Sequence, residues 1–242
     1  NPNYTQVDTY VRLYCDNINY SEISDPFGEH SYNFQEIEKH DVIYISNPNN
    51  PTGHCLDPSI IKNLLSQHPN KLFIVDEAYF EFSGKSCAKF AKQYKNLIVT
   101  RTFSKGFSLA SIRLGYICAC EELISVINKI RNTKEVNSFA QALGEAALDN
   151  IEETNKRIEK VKENKEKQEL LLQKNSIQYI KSEANFILVK VSDSEKIVRD
   201  LASQKILVRD RSIFSGFENT IRITIGDWHL MEKVIKTILK YP

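Results

Sequence analysis

The sequence predicts an α/β fold: a mainly parallel sheet with helical crossovers, followed by a smaller α+β unit. Three observations carry that prediction. Short apolar runs rich in Ile, Val, Phe and Tyr recur at residues 41–46, 71–75 and 96–100, with a fourth at 114–120. The stretches between the runs carry helical signals. After about residue 120 the texture changes, first to long charged segments and then to short strands alternating with helices.

In chain order, residues 41–46 (DVIYIS), 71–75 (KLFIV) and 96–100 (NLIVT) read as buried strands, because they are short, β-branched and apolar on both faces. Asp57-Pro58 opens a helix, with proline at the first helical position and Ile60, Ile61, Leu64 and Leu65 at three- and four-residue spacing. Residues 121–131 form a short amphipathic helix. From Ser138 to about Gln173 there is no proline and a single glycine, which predicts an interdomain or surface helix with a narrow apolar stripe of Ile151, Ile158, Val161 and Leu172. Strands follow at 177–180, 185–191, 206–208 and 220–225, with helices near 194–204 and 228–240. The expected division is a cofactor-binding large domain, in part, at 1–135, and an interdomain helix with a small C-terminal domain at 136–242.

Composition narrows the function classes. The 242 residues are 41% hydrophobic and 26% charged, and 32 Lys+Arg against 31 Asp+Glu give a formal net charge of +1. Disorder is excluded, and no basic field of the sort a nucleic-acid binder needs is present. Small-molecule partners are favoured over nucleic acid or membrane, since no stretch approaches the roughly 20 apolar residues of a membrane span. Cys15, Cys55, Cys87, Cys118 and Cys120 are an odd number without a CxxC pair, as expected of reduced thiols in a cytoplasmic protein. His30, His40, His54, His68 and His229 lack metal-ligand spacing, so no metal site is predicted.

In an open parallel sheet ligands bind outside the carboxyl ends of the strands, so the residues just after each strand carry the chemistry. After the first run comes Asn47-Pro48-Asn49-Asn50-Pro51-Thr52-Gly53, after the second Asp76-Glu77-Ala78-Tyr79, and after the third Arg101-Thr102-Phe103-Ser104-Lys105-Gly106, with Arg113 beyond. An amide, a carboxylate, a lysine, two hydroxyls and an arginine are therefore expected at three strand ends. A lysine beside an arginine and a buried cavity becomes a nucleophile able to form a Schiff base. Thr102, Ser104 and Arg113 suit a phosphate, and Asp76 suits a protonated ring nitrogen. Lysine, carboxylate and pyridinium together are how proteins bind pyridoxal phosphate.

Three segments then become specific. SNPNNPTG at 46–53, VDEAY at 75–79 and TFSKGFSLASIRLGY at 102–116 resemble the signature segments of fold-type-I, pyridoxal-phosphate-dependent aminotransferases. The closest branch is that of the histidinol-phosphate aminotransferases, which includes threonine-phosphate decarboxylase relatives. The resemblance implies that Lys105 carries the cofactor, Asp76 pairs with its ring nitrogen, and Asn50 and Tyr79 bond its phenolic oxygen. It gives Thr102, Ser104 and Arg113 the phosphate. Tyr4, in a Pro-Asn-Tyr start similar to the family's Pro-Thr-Tyr, would stack on the ring. SEANFILVK at 182–190, ILVRD at 206–210 and NTIRITIG at 219–226 resemble small-domain strands, in which Arg222 grips the substrate's α-carboxylate. For Asn185 and Arg209 the carry-over is softer, with structural roles weighed equally against substrate contact.

The activity implied is amino-group transfer between an amino acid and a keto compound bearing a phosphate or other anionic tail, in amino-acid biosynthesis. The alternative on the same scaffold is decarboxylation of a phosphorylated amino acid, and the segment containing Arg209 and Arg211 resembles those relatives about as well. The family resemblance further implies a homodimer. The chain begins Asn1-Pro2-Asn3-Tyr4 with its single methionine at Met231. The resemblance places an early helix, a strand and a glycine-containing phosphate turn before that point, so a fragment of a longer chain is expected.

Overall fold

The computed structural model describes residues 5–21, 26–28, 32, 34–132 and 134–241. The α-helices are α1 (Thr5–Val11), α2 (Pro58–Gln67), α3 (Phe80–Ser83), α4 (Glu121–Ile130), α5 (Ser138–Asp149), α6 (Ile151–Lys174), α7 (Ser194–Ser203) and α8 (Trp228–Ile238). The strands are β1 (Val42–Ser46), β2 (Leu72–Asp76), β3 (Leu97–Thr102), β4 (Gly115–Ala119), β5 (Tyr179–Ile180), β6 (Phe186–Lys190), β7 (Arg209–Asp210) and β8 (Thr220–Thr224). The chain divides into two compact units. One comprises Gln35–Pro48 and Cys55–Glu159; the other comprises the described residues of 1–34 with Asn49–His54 and 160–242.

The first unit is built on a sheet of order β1-β2-β3-β4. β1, β2 and β3 are parallel, and β4 returns antiparallel to β3. Phe73, Val75, Leu97 and Val99 are wholly buried, as the apolar runs require. β1 is an edge strand, so its first residues are less buried than the doubly apolar run predicts, and Val42 is half exposed. α2 starts where expected: Asp57 accepts from the Ser59 N–H at 2.8 Å, and Pro58 occupies the first turn. Of its four apolar residues Ile61, Leu64 and Leu65 face inward, whereas Ile60 is exposed.

At the end of β2 the alternation of a strand sends Asp76 and Glu77 to opposite faces. Glu77 has no exposed surface. Its Oε2 accepts from Ser86 Oγ (2.8 Å) and from Arg101 Nε (3.0 Å) and Nη2 (2.9 Å), and its Oε1 accepts from the Cys87 N–H (2.5 Å). The Arg101 guanidinium also lies 3.5 Å from the centroid of the Phe80 ring.

The second unit carries an antiparallel sheet of order β5-β6-β8-β7. One face packs Ile187, Val189, Ile221 and Ile223 against residues of α6, α7 and α8 that include Leu172, Ile197, Leu201, Val234 and Ile235. The other face carries Ile180, Leu188 and Phe217, with Phe27 and Phe214 against them. The strand expected at 206–208 forms at Arg209–Asp210 instead, because it is Arg209 and Asp210 that pair with Arg222 and Ile221. The long charged stretch is two helices, broken at Asn150, whose N–H and side chain bond back to the Ala146 carbonyl. In the predicted stripe Ile158 and Leu172 are buried and Ile151 is exposed. Buried Asn164, Lys165 and Gln168 continue that face of α6. Asn164 donates to the Gly226 carbonyl (2.9 Å), and the Lys165 ammonium to the Ser182 and Ala184 carbonyls (2.6 and 3.0 Å).

Gly53 sits against that same turn. Its φ is +77°, its carbonyl accepts from the Glu183 N–H at 2.8 Å, and a Cβ on it would stand 2.9 Å from Ser182 Cα. Gly53→Ala combines left-handed backbone strain with overpacking and is expected to cost about 2–4 kcal/mol in urea denaturation. Arg101→Met leaves the Glu77 carboxylate buried beside a thioether, and the same measurement is expected to show a loss of about 3–5 kcal/mol.

Candidate active site

Parallel register aligns Ser46 of β1, Asp76 of β2 and Thr100 of β3 in one row at the carboxyl end of the sheet. In-register neighbours share a face, as do residues two apart, so Tyr44, Asp76 and Thr102 lie on the same side. The Asp76 carboxylate accepts from the Tyr44 hydroxyl at 2.5 Å and from the Ala78 N–H at 3.1 Å. Tyr79, three residues on, is buried at the start of α3. Lys105 lies in the loop after β3, its ammonium 5.6 Å from the centroid of the Tyr79 ring. The lysine is exposed rather than lodged in a buried cavity, because that loop runs over the unit's surface between β3 and β4.

The loop is closed at its base. The Phe103 N–H bonds the Leu114 carbonyl and the Leu109 N–H bonds the Phe103 carbonyl, both at 3.0 Å. Thr102 Oγ1 donates to the Leu114 carbonyl (3.3 Å) and accepts from the Ser104 N–H (3.0 Å). Ser108 and Arg113 adopt left-handed backbone, with φ of 59° and 55°. Arg113 is exposed, and one N–H of its guanidinium donates to the Ala110 carbonyl at 2.8 Å.

The remaining described candidates belong to the second unit. Arg222 lies in β8 between buried Ile221 and Ile223, on the opposite face of the strand, as its alternation predicts. Its Nη1 donates to Asn50 Oδ1 at 2.5 Å, and its guanidinium stands 4.9 Å from the centroid of the Phe186 ring. The loop holding Asn50 is internally bonded: Asn49 Oδ1 accepts from the Thr52 hydroxyl at 2.9 Å, and the Gly53 N–H bonds the Asn49 carbonyl at 2.8 Å. Asn185 is half-buried beside β6, its carbonyl accepting from the Ile225 N–H. Tyr4 lies outside the described residues. Asp76, Tyr79, Thr102, Ser104, Lys105 and Arg113 thus belong to one unit, and Asn50, Asn185 and Arg222 to the other.

Pyridoxal phosphate calls for an amine, an anion facing its ring nitrogen and donors for its phosphate. Lys105, Asp76, and the Thr102, Ser104 and Arg113 group supply these at one end of one sheet. Asp76 uses two of the roughly four acceptor positions of a carboxylate, which leaves capacity for a ring N–H. The residues of this unit fit the group. Among the described residues no cluster of three or more His, Cys, Asp or Glu could hold a metal, and no helix is long and apolar enough to cross a membrane.

Two residues at this end escape sequence reasoning. Tyr44 reads only as one apolar residue of a strand, and its bond to Asp76 depends on the register of β1 against β2. Glu81, in FEF after the VDEAY segment, is largely buried, and desolvation pushes its carboxyl up to about 7. The signal available was an acid between two phenylalanines.

The family model for aminotransferase class I and II matches residues 1–238. Histidinol-phosphate aminotransferase 1 of Carboxydothermus hydrogenoformans is 40% identical over 193 residues, 78% of this chain and 54% of that protein. The structure of the histidinol-phosphate aminotransferase of Clostridium acetobutylicum matches with a TM-score of 0.77 and 26% identity, over 84% of this chain and 64% of that one. The L-threonine-O-3-phosphate decarboxylase of Porphyromonas gingivalis shares the fold, with a TM-score of 0.81 over 99% of this chain and 74% of that one at 23% identity. The chain spans about half the length of the curated relatives it matches. It belongs to the aminotransferase class I and II family and has the type I fold of pyridoxal-phosphate-dependent transferases.

Proposed function

We propose that this chain is part of a pyridoxal-phosphate-dependent aminotransferase of the histidinol-phosphate type. On this reading it moves an amino group between an amino acid and a phosphorylated keto compound, in amino-acid biosynthesis. The observation that carries the reading is the alignment of Asp76 with the lysine-bearing loop at the carboxyl end of parallel β2 and β3. The relatives named as histidinol-phosphate aminotransferases, at 33–40% identity, support the substrate class. The reading includes a cofactor-binding domain at 1–135, a small domain after an interdomain helix at 136–242, a cytoplasmic location and a homodimer.

When bound, the cofactor supplies an electron sink for a carbanion at the substrate's α-carbon. Asp76 holds the proton on the ring nitrogen through its carboxylate, which the Tyr44 hydroxyl and the Ala78 N–H keep oriented. By the family resemblance Tyr79 and Asn50 would each donate to the ring's phenolic oxygen, and Tyr4, outside the described residues, keeps only the ring-stacking role the resemblance gives it. Thr102, Ser104 and Arg113 would hold the phosphate with two hydroxyls and a guanidinium. Lys105 Nζ would hold the cofactor and, as a free amine, would be the base that takes the substrate's α-proton. Arg222 binds the α-carboxylate of the substrate, with Asn185 as a further contact. Asn50 Oδ1 holds one arm of the Arg222 fork and thereby orients it.

Borohydride reduction in the presence of pyridoxal phosphate, followed by peptide mass mapping, is expected to label Lys105 in the native chain and nothing in Lys105→Ala. Label elsewhere, or none, overturns the cofactor assignment. With glutamate as donor, 2-oxoglutarate is expected to form, and Lys105→Ala to lower its rate by at least about 10²-fold. Carbon dioxide release from a phosphorylated amino acid, with no keto acid formed, assigns the chain to decarboxylation instead.

A further inference from the structure

The two adjacent carboxylates at the end of β2 are met in opposite ways. Glu77, on one face, is wholly buried and has its charge paired by Arg101, whose Nη2 stands 2.9 Å from Glu77 Oε2. Asp76, on the other face, is half-buried, and its donors among the described residues are neutral: the Tyr44 hydroxyl at 2.5 Å on Oδ2 and the Ala78 N–H at 3.1 Å on Oδ1. The hydroxyl arrives on a diagonal. Ser46 of β1 stands opposite Asp76 in register, but its own hydroxyl donates to the Pro48 carbonyl at 3.3 Å. Tyr44, two residues before Ser46 and opposite Ile74, shares that face, and an aromatic side chain is long enough to span the diagonal. With one acceptor position taken on each oxygen, the carboxylate cannot turn without losing a bond. Neither donor cancels its charge. An arginine would fix the group as firmly but would also pair it, as Arg101 does at Glu77.

We propose that Tyr44 is a positioning residue for Asp76: its hydroxyl fixes the carboxylate without cancelling its charge, so that this end of the sheet selects a ligand with a cationic ring N–H over the same ring with carbon in place of nitrogen. The selection rests on the aminotransferase reading; the anchoring rests on the geometry of the unloaded chain. The discrimination has a simple source. A cationic N–H makes a charge-assisted bond to an oriented anion, and a C–H at the same position does not. A carboxylate held by one donor instead of two samples more orientations, and that freedom has to be given up when the ring binds. Removing the hydroxyl therefore weakens ligands that use the ring nitrogen and spares those that do not.

Two measurements on the full chain test it, both with Tyr44→Phe, which keeps the ring and removes the hydroxyl. The first is equilibrium dialysis against pyridoxal phosphate and against 1-deazapyridoxal phosphate, which has carbon at the ring-nitrogen position. The variant is expected to bind pyridoxal phosphate about 5- to 10-fold more weakly and the deaza analogue less than about twofold more weakly. Equal weakening of both, or of neither, overturns the proposal. The second uses no ligand: carbon-13 NMR of the unloaded chain labelled at the aspartate side-chain carboxyls, with Asp76→Asn identifying the Asp76 signal. That signal is expected to move in Tyr44→Phe while those of Asp57 and Asp200 stay in place, and an unmoved Asp76 signal overturns the anchoring. Failure of the aminotransferase reading looks different. Borohydride then leaves Lys105 of the native chain unlabelled and dialysis finds neither ligand held, which ends the selectivity claim, while the carboxyl signal still decides whether Tyr44 holds Asp76.

Discussion

A carboxylate with no contact with water has to be met by donors, and the one at Glu77 draws on three residues. Arg101 of β3, the Ser86 hydroxyl and the Cys87 N–H converge on it, and Arg101 also stacks on Phe80 of α3 and donates to the Tyr116 hydroxyl of β4. Such a pair adds little net stability over apolar residues of the same volume, because desolvation offsets most of the Coulombic gain. Its effect falls on the alternatives. Any slip of β3 against β2 that carries Arg101 away leaves a bare buried charge, so the register Asp76–Thr100 is the one retained. Asp76, on the other face of the same strand end, inherits its position from that exclusion.

The way the elements were and were not legible follows from the range of the forces that make them. β1, β2, β3 and α2 answer to local signals, namely β-branched apolar runs, a capping aspartate and a proline at the first turn, and they lie within one or two residues of where those signals put them. The TFSKGF and VDEAY segments were legible because they pack much chemistry into consecutive residues. What depends on pairing was harder to read. Nothing local says that β4 runs antiparallel, or that the 206–210 segment pairs through Arg209 and Asp210 rather than through Ile206, Leu207 and Val208. The polar continuation of the buried stripe on α6 was invisible for the same reason. Lys165 reads as one of many charges on that helix until the Ser182 and Ala184 carbonyls are seen above it.

In the second unit that lysine begins a chain of contacts that ends on a candidate site residue. Burial lowers the affinity of the Lys165 ammonium for its proton, and two carbonyls at 2.6 and 3.0 Å offset the desolvation. The turn it holds, 182–184, receives Gly53 so closely that no side chain fits between them. Gly53 closes the loop through Asn49, and the loop presents Asn50 Oδ1 to Arg222. An arginine on a solvated strand samples many rotamers. One bonded at Nη1 and stacked near Phe186 has lost most of them, so on the proposed reading less entropy is given up when a substrate carboxylate binds.

In the first unit the same economy is reached through apolar contacts. Phe103 and Phe107 are buried two residues to either side of Lys105, their ring centroids 4.6 Å apart, and Phe103 meets Tyr116 edge-on at 6.1 Å. A residue flanked this way has its backbone fixed by its neighbours' burial while its own side chain points outward, which is why an exposed lysine need not be a loose one. Glu81 of α3 packs against Gly106, the residue after the lysine, so closely that a Cβ there would stand 2.6 Å from its Cγ. The position of Lys105 is therefore set by its neighbours' packing, by Phe103 and Phe107 on either side and by the close seat of Gly106 on Glu81.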